Sequence, residues 1–425
     1  MALTLLAMPD EILLEIMDPL APKDLCNLAR VFTRMTSPAQ RVLYQSIFLK
    51  LFPPGKPGRG SEQLGNLHVF TRLVNTLLQY PRIREYVSTL SIEVLENPSR
   101  THFTDHERLL SLVPRLKSLS LAPPPANFPP SNLSLPCLER LCLDFVNRAS
   151  LLGGRIDPIQ IIARLFWAPS LRRLDIRGIL FTPRMSVLFL PDRHRTASIT
   201  DLRFYLSDQE QVGCLPDMLL CVKTLECFVL EIFIPWQMYF HSRSAIEPKI
   251  VGQSIAIHAN TLERLEIAAS DAGLFLKTSL IGSLAGYFHV KRLAIPEPFL
   301  VVDDDEASTL VDVLPPNLEE LQLQFPMVLI QDEDIYRDLR IKRLEQVAAA
   351  KHDRFPALRR VIWWYQSTEP GACRKGLEYG SVSDMDPLTA TFDKVGVKFE
   401  WLSEPFFDFT PFRCDDHENP WPIEV

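Results

Sequence analysis

Very few residues of the chain have the types and the spacing that catalysis or metal binding requires. His102 and His106 stand four residues apart with Asp105 between them, so on a helix they would share one face and could ligate zinc. A helix start explains this segment more simply, because Thr104 or Asp105 can act as the N-cap of the apolar run that follows. The acidic residues at 303–306 lack the alternating spacing and the glycine of a calcium-binding loop. We therefore predict no metal site.

No sequence motif indicates an enzyme. The chain has no nucleophile elbow, phosphate-binding loop or dinucleotide-binding fingerprint, and its 8 cysteines include no C-x-x-C pair. We predict a non-catalytic protein that needs no cofactor and whose cysteines are buried, reduced thiols. The alternative is an enzyme with an unusual site in the insertions at residues 231–250 or 366–383.

Length, composition and charge limit the remaining classes. The chain has 425 residues, of which 47% are hydrophobic, enough for a large core in about two or three domains or in one repeat array. Its 45 basic and 52 acidic residues give a net charge of -7, and the basic residues are scattered, so we predict no nucleic-acid partner. No apolar stretch reaches the roughly 18 residues of a membrane helix, and the first residues lack the basic region of a secretion signal. We expect no membrane association and a cytoplasmic or nuclear location.

Residues 8–47 have the apolar spacing of three short helices. Apolar residues recur at helical intervals over 12–20 and over 25–32, and Ser37-Pro38 is typical of the start of a third helix over 37–47. A unit of about 45 residues buries only a small fraction of its surface, so its apolar faces need a second surface to cover them. That surface is either the following domain or a partner protein.

This segment resembles the F-box, whose usual form is Leu-Pro, a glutamate, an Ile/Leu run, a leucine, and a lysine-aspartate-leucine helix that ends in valine and an aromatic residue. The matching positions are Pro9, Glu11, Ile12, Leu13, Ile16, Leu20, Asp24, Leu25, Leu28, Val31 and Arg34. Met8, Phe32 and Met35 depart from the leucine, cysteine and tryptophan that are common there. In that family the F-box docks on the Skp adaptor of cullin-RING ubiquitin ligases. The resemblance thus implies an adaptor contact made by Met8, Pro9, Ile12, Leu13, Ile16, Leu20, Leu25, Leu28, Val31, Phe32 and Met35.

The composition changes after this segment. Residues 52–62, FPPGKPGRGSE, hold three glycines and three prolines and are typical of a linker. We therefore predict an F-box at residues 1–50, a linker at 51–66, a repeat region at 67–402 and a C-terminal strap at 403–425. The strap is rich in phenylalanine and proline, and we expect it to cover the open end of the last repeats.

One short pattern, L-x-x-L-x-L with conservative replacements, recurs ten times in the rest of the chain. Its copies begin at residues 87, 116, 138, 171, 199, 225, 262, 290, 318 and 358. A helical stretch and then a proline or a turn precede most copies, so each copy is predicted to be a strand that pairs in parallel with its neighbours. The pattern predicts an α/β solenoid, with a parallel sheet on the concave side and helices on the convex side. An all-helical repeat is the alternative, which the short copies ending in β-branched residues disfavour.

The repeat region resembles irregular leucine-rich repeats over residues 67–402, although the asparagine that normally follows the strand is mostly absent. Every second residue of a strand faces the same side of a sheet, so alternate residues of each copy are predicted to line the concave side. The residues predicted to contact a target there are Arg173, Asp175, Arg177, Arg203, Tyr205, Glu231, Arg264, Glu266, Gln322 and Trp364.

Together, the two resemblances imply a substrate-recognition subunit of an SCF-type ubiquitin ligase. In that arrangement the F-box binds the Skp adaptor, and through it a cullin, while the repeats bind a target protein. A repeat scaffold that binds the adaptor without promoting ubiquitination is the alternative.

Overall fold

The computed structural model describes most of the helices and strands that the repeat pattern predicts. The described residues are 8–51, 65–94, 108–122, 135–145, 162, 165–178, 189, 191–206, 215–232, 247–269, 279–301, 309–326, 333–367 and 385–405. They divide between residues 177 and 178 into two compact units. Each unit is described separately below.

The first unit begins with three helices and continues with strands. Its elements are α1 (Asp10–Met17), α2 (Pro22–Val31), α3 (Thr33–Gln45), β1 (Ser46–Leu51), α4 (Gly65–Gln79), α5 (Pro81–Arg84), β2 (Thr89–Val94), β3 (Ser118–Ala122), β4 (Arg140–Asp144) and β5 (Arg173–Arg177). Within this unit each strand pairs in parallel with the next one along the chain.

The second unit contains seven strands and, between most of them, one or two helices in the described residues. Its elements are β6 (Asp201–Leu206), α6 (Leu215–Cys221), β7 (Cys227–Ile232), α7 (Pro248–Ala256), β8 (Arg264–Ala269), β9 (Arg292–Pro296), α8 (Leu310–Val313), β10 (Glu320–Pro326), α9 (Glu333–Ala349), α10 (Lys351–Arg354), β11 (Arg360–Ser367), α11 (Asp386–Lys394) and β12 (Lys398–Pro405). Its strands again pair in parallel in chain order. The predicted α/β class with a parallel repeat sheet is therefore confirmed, and the all-helical alternative is excluded.

Every copy of the leucine pattern coincides with one strand, from β2 to β11. The second and fourth residues of each strand form the core face of its unit, because their apolar side chains pack inside. For example, strand register aligns Leu265, Leu293 and Leu321 on neighbouring strands, and each is at most 1% exposed. We call the opposite face, formed by the first, third and fifth residue of each strand, the polar face.

A repeated backbone contact joins successive repeats just before their strands. The amides of Glu263 and Arg264 both donate to the carbonyl oxygen of Glu226, at 2.7 and 3.0 Å. The equivalent pair of bonds recurs at each step from β2 to β5 and from β6 to β11. Side chains add to it, since Thr261 Oγ1 donates to Leu225 O at 2.8 Å. These bonds satisfy the backbone between repeats without the asparagine that the sequence lacks.

The sheet begins inside the segment predicted to be the F-box. Helix α3 ends at Gln45, and β1 starts at the next residue and pairs with all of β2. The amide and the hydroxyl of Ser88 both donate to Gln45 O, at 3.0 and 3.1 Å. Ile47, predicted on a helix, lies instead in β1 and is 7% exposed, because the strand turns it into the core.

Two further boundaries differ from the sequence prediction or lie beyond the described residues. Helix α3 begins at Thr33, so Pro38 is inside it rather than at its first position. Strand β12 extends to Pro405, past the predicted start of the strap at 403. Residues 52–64, most of the predicted linker, and 406–425, the rest of the strap, lie outside the described residues.

A buried histidine joins two successive helices of the second unit. His258, just after α7, is 5% exposed, and its Nε2 lies 3.0 Å from the carbonyl oxygen of Leu219 in α6. A carbonyl can only accept, so Nε2 carries the proton. Burial lowers the pKa of His258, and the Arg195 guanidinium acts in the same direction, whereas the bond to Leu219 opposes them. The imidazole is therefore neutral in the folded protein at neutral pH.

The neutral state of His258 predicts a loss of stability in acid. Its folded pKa lies below the unfolded value of about 6.5, so its contribution is present above that pH and is lost as the pH falls below it, by at most about 1.4 kcal/mol per pH unit. We expect His258→Gln, which keeps an N–H donor but does not titrate, to lose less stability than the natural chain between about pH 7.5 and pH 5.5. Denaturant unfolding across that range measures this difference, and parallel stability profiles would contradict the prediction.

Candidate functional site

The three opening helices pack around their own small core. That core consists of Leu13, Met17, Leu25, Met35 and Ala39, each at most 3% exposed. Met8, Leu20, Leu28, Ala29, Val42 and Leu43 pack against it and are partly buried. Three residues predicted to contact the adaptor, Leu13, Leu25 and Met35, are thus interior residues. Very little of the surface of these three residues is accessible to a partner, and they stabilise the packing of the three helices.

A second group of the predicted adaptor residues lies on the surface of this helical module. Ile12 and Ile16 are each 41% exposed, and their spacing of four residues places them on one side of α1. Val31, at the end of α2, is 69% exposed, and Phe32, between α2 and α3, is 41% exposed. Pro9 is also exposed. We call Ile12, Ile16, Val31 and Phe32 the apolar surface of the module.

Arg34 links the start of α3 to the start of α1. Its Nη2 donates to the carbonyl oxygen of Met8 at 2.8 Å and lies 3.9 Å from the Asp10 carboxylate. The start of α1 is thereby held against the corner between α2 and α3, where Val31 and Phe32 lie. Several large apolar side chains exposed on so small a module are typical of a protein–protein contact.

The residues predicted to contact a target all lie on the polar faces of the two units. Arg173, Asp175 and Arg177 occupy alternate positions of β5 in the first unit. The other predicted residues are the first, third or fifth residues of β6, β7, β8, β10 and β11 in the second unit: Arg203, Tyr205, Glu231, Arg264, Glu266, Gln322 and Trp364. Strand alternation thus places these residues on the face opposite the apolar core of their unit.

Burial divides these predicted target contacts into two groups. Arg173, Asp175, Glu231 and Trp364 are between 5% and 8% exposed, so little of their surface is accessible to a partner. The others are partly exposed: Arg177, Arg203, Tyr205, Arg264, Glu266 and Gln322. Alternation assigns these residues to one face of the strands, but it contains no information about how deeply each residue of that face is buried.

Many charges of the polar faces neutralise each other along their own strand. Arg173 Nε lies 2.9 Å from Asp175, and Arg264 Nε lies 2.6 Å from Glu266. Arg203 binds Asp201 through two bonds of 2.9 Å each. These pairs were missed by sequence reasoning, although oppositely charged residues two positions apart in a strand would have indicated them. These charged groups are therefore engaged within their own strand and are less available for other contacts.

At the last two strands the counter-ions come from a neighbouring strand. Arg360 Nε donates to Glu400 at 3.2 Å across the β11–β12 pair, and a second bond from Arg360 Nη2 joins the same carboxylate. Lys398 also contacts Glu400. The hydrogen bonds from Arg360 and then from Lys398 lower the pKa of Glu400, so this carboxylate is ionised at neutral pH.

Two cysteine thiols of the second unit are poor nucleophiles at neutral pH. Burial raises the pKa of Cys221 to about 11 and raises that of Cys227 further, so both are protonated at neutral pH. In the described ranges, no three or more His, Cys, Asp or Glu side chains are arranged to hold a metal ion. The candidate metal residues His102, His106 and those at 303–306 lie outside those ranges.

Among the helices that the structure describes, none combines the length and the apolar character that crossing a bilayer requires.

Comparison with known proteins identifies one part of the chain. The sequence profile described as F-box-like matches residues 5–50, the segment that contains α1, α2, α3 and the start of β1. No curated protein matches the chain. The match coincides with the helical module that carries the apolar surface, and residues 5–50 therefore form an F-box-like domain that leads directly into a parallel-sheet repeat region.

Proposed function

We propose that the chain is a substrate-recognition subunit of an SCF-type ubiquitin ligase. The F-box-like domain supports a role as the adaptor-binding component of such ligases. The observation that carries the proposal is the apolar surface of Ile12, Ile16, Val31 and Phe32, which remains exposed although the module has a complete core beneath it. The proposed partner for this surface is the Skp adaptor, and through it a cullin.

In this proposal, the repeat units bind the target protein. Their strands present polar faces with partly exposed arginine, tyrosine and glutamine side chains, which suit a protein surface or a peptide. The chain itself contributes no catalytic group. It increases the rate of ubiquitin transfer by holding the target near the enzyme that carries ubiquitin, so that a bimolecular step becomes effectively intramolecular.

Reconstitution with purified components tests this proposal. The full chain is mixed with the Skp adaptor and a cullin and analysed by size-exclusion chromatography, and we expect one stable complex. Ubiquitin and its charging enzymes are then added, and ubiquitin should be transferred to bound proteins or to the chain itself. Absence of a complex would overturn the proposal. A complex without ubiquitin transfer would favour the scaffold alternative.

A further inference from the structure

The arginines on the polar face of the second unit have counter-ions, with one exception. Arg203, Arg264 and Arg360 lie within hydrogen-bonding distance of Asp201, Glu266 and Glu400, respectively. Arg292, the first residue of β9, is exposed, and its guanidinium has no ion pair or hydrogen bond with any residue that the structure describes.

Arg292 lacks a counter-ion on its own strand because of the residue two positions further along. On β8 this third position is Glu266, which binds Arg264, whereas on β9 it is Ala294. Neighbouring strands do not replace the missing acid. Glu320, opposite Arg292 on β10, has its carboxylate 3.6 Å from Arg360.

The other neighbour of Arg292 is a second cation. Arg264 stands directly opposite Arg292 in the register of β8 and β9. Like charges opposite each other on neighbouring strands destabilise a sheet. Arg264 is compensated by Glu266, whereas Arg292 has no counter-ion among the described residues, so these two paired positions carry an excess of positive charge. An anion bound at Arg292 would remove this imbalance.

We propose that Arg292 is an anion-binding position that takes a carboxylate or phosphate group of the bound target. The planar guanidinium offers two parallel N–H donors, which match the two oxygens of either group. Ala294, the next residue of β9 on the same face, has no acceptor atom in its side chain that could occupy those donors. The proposal rests on the proposed function in one respect, namely that the anion belongs to a protein target.

Pools of short peptides with random flanking residues test this site. The pools are identical except for a central glutamate, phosphoserine, glutamine or lysine, and binding to the full chain is measured by fluorescence anisotropy. We expect the glutamate pool, the phosphoserine pool or both to bind more tightly than the glutamine and lysine pools. The acid pool that binds best identifies the natural anion as a carboxylate or a phosphate.

Three variants and a matched control connect this preference to Arg292. Arg292→Ala should weaken binding of the preferred acidic pool by about tenfold or more, because a charge-assisted bidentate contact is lost. Ala294→Glu should have the same effect by supplying the counter-ion that Glu266 supplies on β8. Arg292→Lys should bind with intermediate affinity, since it keeps the charge without the fork. Arg82→Ala, which removes an exposed arginine of the first unit, should leave binding unchanged.

Either of two results would overturn the inference. The natural chain could show no preference for acidic peptides, or Arg292→Ala could bind them as tightly as Arg82→Ala does. Melting temperatures of all variants identify any that misfold, and Arg292, being exposed, provides a folded variant if Ala294→Glu does not. Adaptor binding, measured on the same samples, should not change. A natural chain that binds the adaptor but shows no preference for acidic peptides would therefore reject this site alone. A natural chain that prefers acidic peptides but does not bind the adaptor would reject the proposed function alone.

Discussion

Replacing both Ile12 and Ile16 by lysine is expected to abolish binding of the Skp adaptor. Both side chains lie on the exposed side of α1, and central apolar anchors of an interface commonly contribute about 2 kcal/mol or more each. The fold should remain intact, because neither residue belongs to the core of the helical module. Calorimetry with purified adaptor measures the affinity, and circular dichroism checks the fold.

The structure supplies a matched control for this experiment. Ile250 and Ile257, in and after α7 of the second unit, are 38% and 40% exposed, close to the values of Ile12 and Ile16. Lysine at both positions changes the same number of exposed isoleucines outside the F-box-like domain, and adaptor affinity should stay at the natural level. Leu13→Lys is unsuitable as a test, since Leu13 is 1% exposed and the change would unfold the module. Unchanged adaptor affinity in the Ile12 and Ile16 double variant would contradict the proposed interface.

Alanine at Leu265 or Leu321 is expected to destabilise the second unit by about 2 to 5 kcal/mol. Each leucine is fully buried on the core face, and register places both beside Leu293 of β9, so either substitution leaves a cavity among neighbouring repeats. Gln322→Ala is the control, because this partly exposed side chain lies on the polar face next to Leu321. Its cost should be well under about 1 kcal/mol.

Denaturant titration of the three variants measures these differences. If Gln322→Ala destabilised the chain more than Leu321→Ala did, the assignment of core and polar faces would be incorrect. Arg173 is not an appropriate surface control, although alternation places it on the polar face. It is 8% exposed and paired with Asp175, so its removal would leave a buried carboxylate without that partner.

Most of the repeat fold could be predicted from the sequence because its signals are local. Apolar residues two apart, as in Leu265 and Ile267, face the same side of any strand, and each such pair follows a helix or a turn. Strand β1 was missed because its local sequence signal is that of a helix. Its residues Ile47 and Leu49 continue the apolar pattern of α3, and only pairing with β2 makes the extended conformation the stable one.

Apolar periodicity by itself determined that the opening helices need a second surface, but not which residues face it. Ile12 and Leu13 are adjacent and similar in size and hydrophobicity, yet one is 41% exposed and the other 1%. The angles at which α1, α2 and α3 pack decide between them, and those angles depend on contacts between residues distant in sequence. In the same way, the sequence determined that arginines line the polar face, whereas the pairing of β11 with β12 decided that Arg360 receives Glu400 as its counter-ion. An ion pair depends on distance in space, and that distance is set only when the strands pair.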